Sequence, residues 1–563
     1  MKVHDAIVDA LLGEGVDTVF GLLGGGIGHL VDAAVKRGIR FVTVRHEQAA
    51  VGAADGYSRV CGRIGVAVLS YGPGLANAAT PMVVARKAHS KVLVITSAIG
   101  DSERFTMHLF DQEPYLRSTI GTFVTPRWPA SIQHDLTEVF SLLARDSGPV
   151  ALNLNHHLLG QEVPEDWKYV PIRDEWGSQR VQPDPQRVTA VVDLIAEARR
   201  PLILAGRGAV LSGALPDLIE LADQTGAALS TTLLAKNWFD GHPANLGITG
   251  GFGDKHAQLV MRDSDLVLAF GARISRYTAH WGTMFEKARI VRVDSRPDSA
   301  PDMTPVDISI WADAKATARA LLAELSLPKA RTPWTVDHVV TGDGRGEETT
   351  WARDYGLVRE AAATQAGSGV DVRRAIDLLG RRLPTARGVV IDAGNHLGVP
   401  AAHFSVADPL DLICAWEFGA IGGGLGLAIG AATARPERPT VAFLGDGCLM
   451  LGLSDLDTVS RYRLPMLIVV QDDGGFRSER NSYNAIGLEP TLADYVNPDL
   501  AAVARSLGLN AYSAANDAEL DGCLEKIFAT DPDFRTPTLL CIAVDRFAPN
   551  EEIDSAFASY RPY

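Results

Sequence analysis

Long apolar runs are missing from these 563 residues: no stretch reaches the ~18 residues that a membrane-spanning helix needs, so no membrane partner is expected. Cysteine is sparse. Cys61, Cys414, Cys448, Cys523 and Cys541 are scattered, odd in number and never in a CxxC pair, which argues against a disulfide framework and against a zinc site and fits a reducing cytoplasm. The first helix-like run, Val3 to Leu12, has no basic flank and no apolar core, so no targeting segment is expected. Basic charge is also short: 53 Lys and Arg face 68 Asp and Glu, a formal net charge of -15, whereas nucleic acid or anionic lipid would require clustered cations.

Two common catalytic signatures are incomplete or absent. Gly24-Gly25-Gly26-Ile27-Gly28-His29 begins like a dinucleotide-binding turn but ends in His29, and Gly206-Arg207-Gly208 continues to Leu211 where a last glycine belongs. No Gly-x-Ser-x-Gly elbow is present, so a serine hydrolase of that type finds no support.

What is present is length enough for several domains and a regular rhythm. Short apolar runs (Thr18–Leu22, Phe41–Val44, Gly65–Ser70) alternate with amphipathic ones (Ile27–Lys36, Gln48–Val60), the pattern of a parallel sheet covered by helices. The same rhythm restarts at Pro201–Ala205 and again at Val370–Leu379. Aperiodic stretches separate the three sets, Glu162 to Pro185 and Pro328 to about Ser368, and read as linkers. The expected fold class is α/β, three doubly wound parallel-sheet domains: residues 1–165, 184–330 and 369–550, with 331–368 as a linker. The first and third are candidates for related folds.

In the third block, Val441–Leu444 ends in Gly445-Asp446-Gly447, and Met466–Val470 ends in Gln471-Asp472-Asp473-Gly474-Gly475-Phe476. Ligands of parallel sheets sit at the carboxyl ends of strands, so Asp446 and Asp473, 27 positions apart, can converge on one hard cation such as magnesium. The flanking glycines let a diphosphate approach the backbone.

These motifs, with Arg45-His46-Glu47-Gln48-Ala49-Ala50, Ser70-Tyr71-Gly72-Pro73-Gly74, Asp392-Ala393-Gly394-Asn395-His396 and Gly419-Ala420-Ile421-Gly422, resemble the thiamine-diphosphate-dependent 2-oxo acid decarboxylases and carboligases, and acetohydroxyacid (acetolactate) synthase in particular. The resemblance spans nearly the whole chain. It implies pyrimidine-binding, central Rossmann-like and diphosphate-binding domains, with thiamine diphosphate and magnesium bound between the subunits of a homodimer or homotetramer. Glu47 would bond N1′ of the aminopyrimidine, a role suited to a carboxyl raised in pKa by burial, and Ile421 would wedge the two rings together. Gly25, Pro73, Asn395, His396, Gly419, Gly445, Gly447, Cys448 and Phe476 would line the cofactor, with Asp446, Asp473 and the Gly475 carbonyl on the metal.

The implied reaction is decarboxylation of a 2-oxo acid to an enamine, then capture by an aldehyde or ketone acceptor or release as an aldehyde. The alternatives are a non-decarboxylating acyloin or diketone lyase or hydrolase and, in another class, a non-catalytic regulatory or scaffold relative. Leu23 and Gly26 stand where some relatives carry histidines, so an open glycine surface with few proton donors is expected to favour carboligation. Phe110 and Gln112 match an aromatic and a glutamine near the reacting centre, and Arg276 lies within one residue of an acceptor-binding arginine. Ser482 stands where acetohydroxyacid synthase carries its acceptor-binding tryptophan. The usual Asn-Asn is Asp472-Asp473 here, so Arg477 or Arg480 is expected to offset the added charge. FAD or a nucleotide in the central domain is implied for some relatives but is not supported by the glycine motifs.

Overall fold

The computed structural model describes residues 1–99, 106–145, 148–173, 180–296, 304–326, 331–334, 369–548 and 550–557. Three six-stranded, wholly parallel sheets carry the chain. The first holds β1 (Thr18–Gly21), β2 (Arg40–Thr43), β3 (Gly65–Leu69), β4 (Val92–Ala98), β5 (Thr122–Val124) and β6 (Val150–Asn155). The second holds β7 (Pro201–Ala205), β8 (Ala228–Thr231), β9 (Asn245–Ile248), β10 (Leu266–Phe270), β11 (Arg289–Asp294) and β12 (Ile308–Trp311). In the third are β13 (Gly388–Ile391), β14 (Leu412–Cys414), β15 (Thr440–Gly445), β16 (Met466–Asp472), β17 (Asn510–Ala514) and β18 (Thr538–Ala543). Strands such as β3 and β7 are buried along their whole length because helices cover both faces, which is why they read as unbroken apolar runs.

The strand orders are β2-β1-β3-β4-β6-β5 and β14-β13-β15-β16-β18-β17 for the outer sheets. They are the same order twice, so the first and third units share one topology. Their equivalent helices, Glu47–Cys61 after β2 and Gly424–Ala434 after β14, pack directly on each other. Small residues make this approach close: an added Cβ on Gly430 would lie 1.9 Å from the Ala53 carbonyl oxygen, and one on Gly56 would lie 2.0 Å from that of Leu427. Gly430→Ala gains about 1 kcal/mol of helix propensity, but overpacking against backbone costs about 1–3 kcal/mol or more. A net loss of stability is expected, read as a lower urea midpoint; a midpoint equal to that of the parent would contradict this packing.

The stretch expected as the first linker is docked. Val163 and Ile172 are buried, and Glu14 accepts hydrogen bonds from the Tyr169 hydroxyl (2.7 Å) and the Ile172 (2.6 Å) and Arg173 (3.2 Å) amides. Polar composition hid this packing, which carries the first unit past residue 165. Of the second linker only 331–334 are described, and they too are anchored: Arg331 donates to Ala198 O at 3.0 Å and Trp334 to Pro201 O at 2.8 Å. The rest of that linker lies outside the described residues.

Buried polar contacts lock the three units together. Arg59 of the first grips its own Asp55 at 2.7 Å and Glu417 of the third, while Arg207 of the second donates to the Arg59 carbonyl at 3.1 Å. Lys236 donates to the Ala401 and Ala402 carbonyls at 2.6 and 3.0 Å, and burial pushes its ammonium down to about 7.

Candidate functional site

The carboxyl edge of the first sheet gathers residues from five neighbouring strand ends, those of β2, β1, β3, β4 and β6. Glu47 is the first residue of its helix, which is capped by His46 Nδ1 accepting from the Gln48 amide at 3.1 Å. The carboxylate accepts from Asn77 Nδ2 at 3.0 Å and lies 3.4 Å from where a side chain on Gly74 would begin. Contrary to the expected burial, Glu47 is partly exposed in the single chain: the strand Arg40–Thr43 ends before it and the helix turn carries it to the surface. Pro73 opens the short helix beside it.

The glycine turn is less open than its composition suggests. A Cβ on Gly26 would meet Ser97 Oγ at 2.2 Å and the Tyr71 ring at 2.4 Å, and one on Gly24 would meet Ser70 at 2.6 Å; only Gly25 keeps space. The expectation of few proton donors is corrected as well, because His108 and His156 flank the Tyr71 ring with centroids 5.3 and 5.6 Å away. Leu23 is 62% exposed beside the turn. Gln112, expected at the reacting centre, is buried and fully engaged: its amide donates to Ser97 O (3.0 Å) and Asn153 Oδ1 (2.9 Å) and accepts from Gly72 N (3.1 Å). It therefore shapes the Tyr71–Gly74 turn from beneath. Phe110 packs edge-on against Tyr115 at 5.6 Å.

At the carboxyl edge of the third sheet, β15 and β16 are adjacent and in register, Gly445 opposite Gln471. Asp446 Oδ1 accepts from Gly447 N (2.8 Å) and Oδ2 from Gly474 N (3.1 Å). Asn497, which sequence reasoning missed, donates Nδ2 to both Asp446 (2.6 Å) and Asp472 (2.8 Å). Asp473 stands beside them, its carboxyl pushed up to about 7 by burial and then by the Asp446 charge. The expected counter-charges are half right: Arg477 and Arg546 act on Asp473, whereas Arg480 is paired with Asp494. A nearby ion pair captured Arg480.

Around this cluster, His396 is wedged between Gly394 and Gly445, and burial lowers its pKa to about 4, so the ring is neutral. Cys448 lies 4.0 Å from His396 Nε2, its thiol held protonated by burial. Asp392, completely buried, accepts from Gly422 N at 3.0 Å and so fixes the turn that carries Ile421, while Gly419 adopts φ 73° at its start. Phe476 is 40% exposed and meets Tyr495 edge-on, and Gly475 bridges to Asp494.

The residues fit a metal-bound diphosphate. Carboxylates from Asp446, Asp472 and Asp473 crowd together and call for a cation, and an added Cβ on Gly447 would strike the Tyr495 hydroxyl at 2.7 Å. Asn395 Oδ1 and the Tyr495 hydroxyl are buried without partners among the described residues. Among the described residues, no group of three or more His, Cys, Asp or Glu side chains that could by itself hold a metal ion is found.

The central sheet contributes less. Gly206 and Gly208 pack on Gly271 so closely that a Cβ would lie 2.3–2.8 Å from it, which accounts for these glycines without a nucleotide. Arg276 is exposed and lies 5.6 Å over both the Tyr277 and Trp281 rings, with Tyr277 stacked on Trp416 of the third unit. Neither Arg276 nor Arg480 joins the carboxylate cluster. Within the chain, no hydrogen bond or ion pair among the described residues connects Glu47 to that cluster. The cleft between the outer units is lined by His46, Gln48, Gly422, Leu451 and Asp455 instead. No helix among the described residues is long and apolar enough to cross a membrane.

Three family models match the three units: thiamine pyrophosphate enzyme, N-terminal TPP binding domain, over residues 1–115; the central domain over 188–321; and the C-terminal TPP binding domain over 392–541. An acetolactate synthase large subunit from Parasynechococcus marenigrum (strain WH8102) is 30% identical, covering 96% of this chain and 87% of that protein. A sulfoacetaldehyde acetyltransferase from Rhodobacter capsulatus is 28% identical over 94% of this chain and 92% of the relative. Acetolactate synthase isozyme 2 large subunit from Escherichia coli (strain K12) is 26% identical over 96% and 95%.

Proposed function

Because the chain belongs to the thiamine pyrophosphate enzyme family, among its acetolactate synthase-like members, we propose that it decarboxylates a 2-oxo acid and joins the remaining acyl unit to a carbonyl acceptor. The observation that carries this reading is the pairing of Glu47 at one sheet edge with the Asp446–Asp473 cluster at the edge of a second sheet of the same topology.

Thiamine diphosphate, when bound, supplies the carbon that accepts and passes on the acyl unit. Asp446, Asp473 and the Gly475 carbonyl would hold magnesium; Asn395, His396, Gly447 and Cys448 would line the diphosphate. Ile421, tied down through Gly422 and Asp392, would press between the cofactor rings. Glu47 would hold a proton at the pyrimidine nitrogen N1′, and closure of the site would bury its carboxyl.

Such closure would come with a second copy of the chain, since within one chain no hydrogen bond or ion pair among the described residues joins Glu47 to the carboxylate cluster. Exposed apolar side chains beside each half support this: Leu23 and Met107 (93%) near the first, Leu488, Leu492 (76%) and Val496 (97%) near the second. A homodimer is the smallest assembly that completes the site.

The test is incubation with thiamine diphosphate, magnesium and a panel of 2-oxo acids, with and without acceptors, following carbon dioxide and identifying products by mass. Cofactor-dependent carbon dioxide with a 2-hydroxyketone product is expected. Bound cofactor with no carbon dioxide from any acid would move the assignment to a lyase or hydrolase of acyloins or diketones.

A further inference from the structure

The first sheet carries a polar wall that the cofactor chemistry does not use. Tyr71 follows β3, His108 precedes the helix Gln112–Thr119, and His156 follows β6, so three distant segments meet at the carboxyl edge of one sheet. Gln112, on the His108 segment, holds the other two in place: its side chain accepts from Gly72, next to Tyr71, and donates to Asn153 Oδ1 on β6, the strand that His156 follows. The His156 ring is oriented by Nδ1 against Ala98 O at 3.2 Å. Its neighbour His157 packs on it at 3.9 Å.

The Tyr71 ring covers Gly26, and its hydroxyl points toward the space left at Gly25, 3.7 Å from where a side chain there would begin. Among the described residues, nothing hydrogen-bonds the Tyr71 hydroxyl or the His108 ring. The Tyr71 hydroxyl thus faces an open position on the same edge as Glu47, and the His108 ring lies against the Tyr71 ring beside it. A phenol and imidazoles are hydrogen-bond donors, and the described side chains around Gly25 bring no carboxylate except Glu47. The Tyr71 O–H and an N–H of the His108 ring, left without a protein acceptor among the described residues, can each donate to an anion or a carbonyl oxygen.

From this geometry we infer that Tyr71 and His108, with His156 supporting them, bind the anionic headgroup of a small acid substrate above Gly25. The headgroup is a carboxylate or a sulfonate, since both present several acceptor oxygens to the same donors. This assignment rests on the proposed function for its substrate class, but not for its residues. It also explains why a side chain at Gly26 is excluded: Tyr71 fills that volume and supplies the polar group in its place.

The experiment titrates the chain, loaded with thiamine diphosphate and magnesium, with oxamate as the carboxylate probe and 2-hydroxyethanesulfonate as the sulfonate probe, by calorimetry. At least one should bind, and the one that does names the headgroup. Tyr71→Phe keeps the ring against Gly26, and His108→Asn keeps a polar side chain of smaller size. Each should weaken the anion about tenfold or more, as expected for loss of a hydrogen bond to a charged group, while cofactor affinity stays within about threefold. Parent-like anion binding in both variants, or no binding of either probe to the parent chain, would overturn the assignment. Failure to take up thiamine diphosphate would instead overturn the proposed function, and the same titration on that chain would still decide the role of Tyr71 and His108.

Discussion

Glu47→Gln is expected to slow turnover by about 10²- to 10⁴-fold, the usual contribution of a positioned acid–base group, and to leave thiamine diphosphate affinity within a few-fold of the parent. The substitution is nearly isosteric. Glutamine can still accept the Asn77 Nδ2 bond made at 3.0 Å by Glu47, so the start of the helix and its His46 cap should persist. What it cannot do is share a proton with a ring nitrogen as a carboxyl does. Loss should therefore appear in kcat, with KM little changed, because the interaction is made in the transition state and not in substrate binding. Calorimetry of cofactor uptake and exchange of the thiazolium C2 proton, followed by NMR, separate the two effects. Near-parent exchange in the variant would remove Glu47 from the mechanism.

Much of the architecture was legible because parallel strands buried on both faces leave unbroken apolar runs, as in β3 and β7. The Gly-Asp-Gly turn was legible for a related reason: a carboxylate between glycines at the end of such a run has few structural uses. Convergence from distant segments was not legible. Asn497 lies 51 positions from Asp446 and comes from a loop with no periodicity, yet it bonds both Asp446 and Asp472. Tyr71, His108 and His156 meet only because β3, β4 and β6 are neighbours in the sheet, and strand order is not written in local spacing. Gln112 shows the converse. A place near the reacting centre was implied by resemblance, but the direction of its side chain was not, and the bonds to Gly72, Ser97 and Asn153 show it aimed inward.

Part of the stretch read as the first linker is packed against the first unit. Residues 162–173 are polar and aperiodic, as a spacer would be, but Glu14 gathers two backbone amides and the Tyr169 hydroxyl from that stretch. One half-buried acceptor can dock an irregular segment that no periodicity marks. The kinship of the outer units was read from the sequence only as a candidate relation of folds, and the equal strand orders bear it out; one habit the two facing helices share is small residues, set by the close approach at Gly56 and Gly430.

Asp446→Asn should separate stability from binding in opposite directions. In the chain without metal, Asp446 and Asp473 repel each other across a partly buried site, and burial first and that charge second push the Asp473 carboxyl up to about 7. An amide at position 446 keeps one oxygen, which serves the Gly474 N–H now 3.1 Å from Oδ2, and gives up the bond that Oδ1 accepts from the Gly447 N–H at 2.8 Å, while removing the repulsion. Asp473 should then titrate closer to an ordinary carboxyl. A folded-state pKa raised above its unfolded value means that the folded chain binds more protons, so stability falls as pH rises from about 4 through 7. The variant should flatten this dependence and match or exceed the parent in denaturant at neutral pH with chelator present. Binding should go the other way. A hard cation loses one of the two carboxylates available to it, and thiamine diphosphate, held through that cation, should bind about 100-fold more weakly, a loss of about 2.7 kcal/mol. Denaturation with and without magnesium and thiamine diphosphate measures both effects in one protein. The parent should gain stability on adding the pair and the variant little. A variant stabilised by the pair as strongly as the parent would show that Asp446 does not hold the metal, and would leave Asp472 and Asp473 to account for the crowded carboxylates.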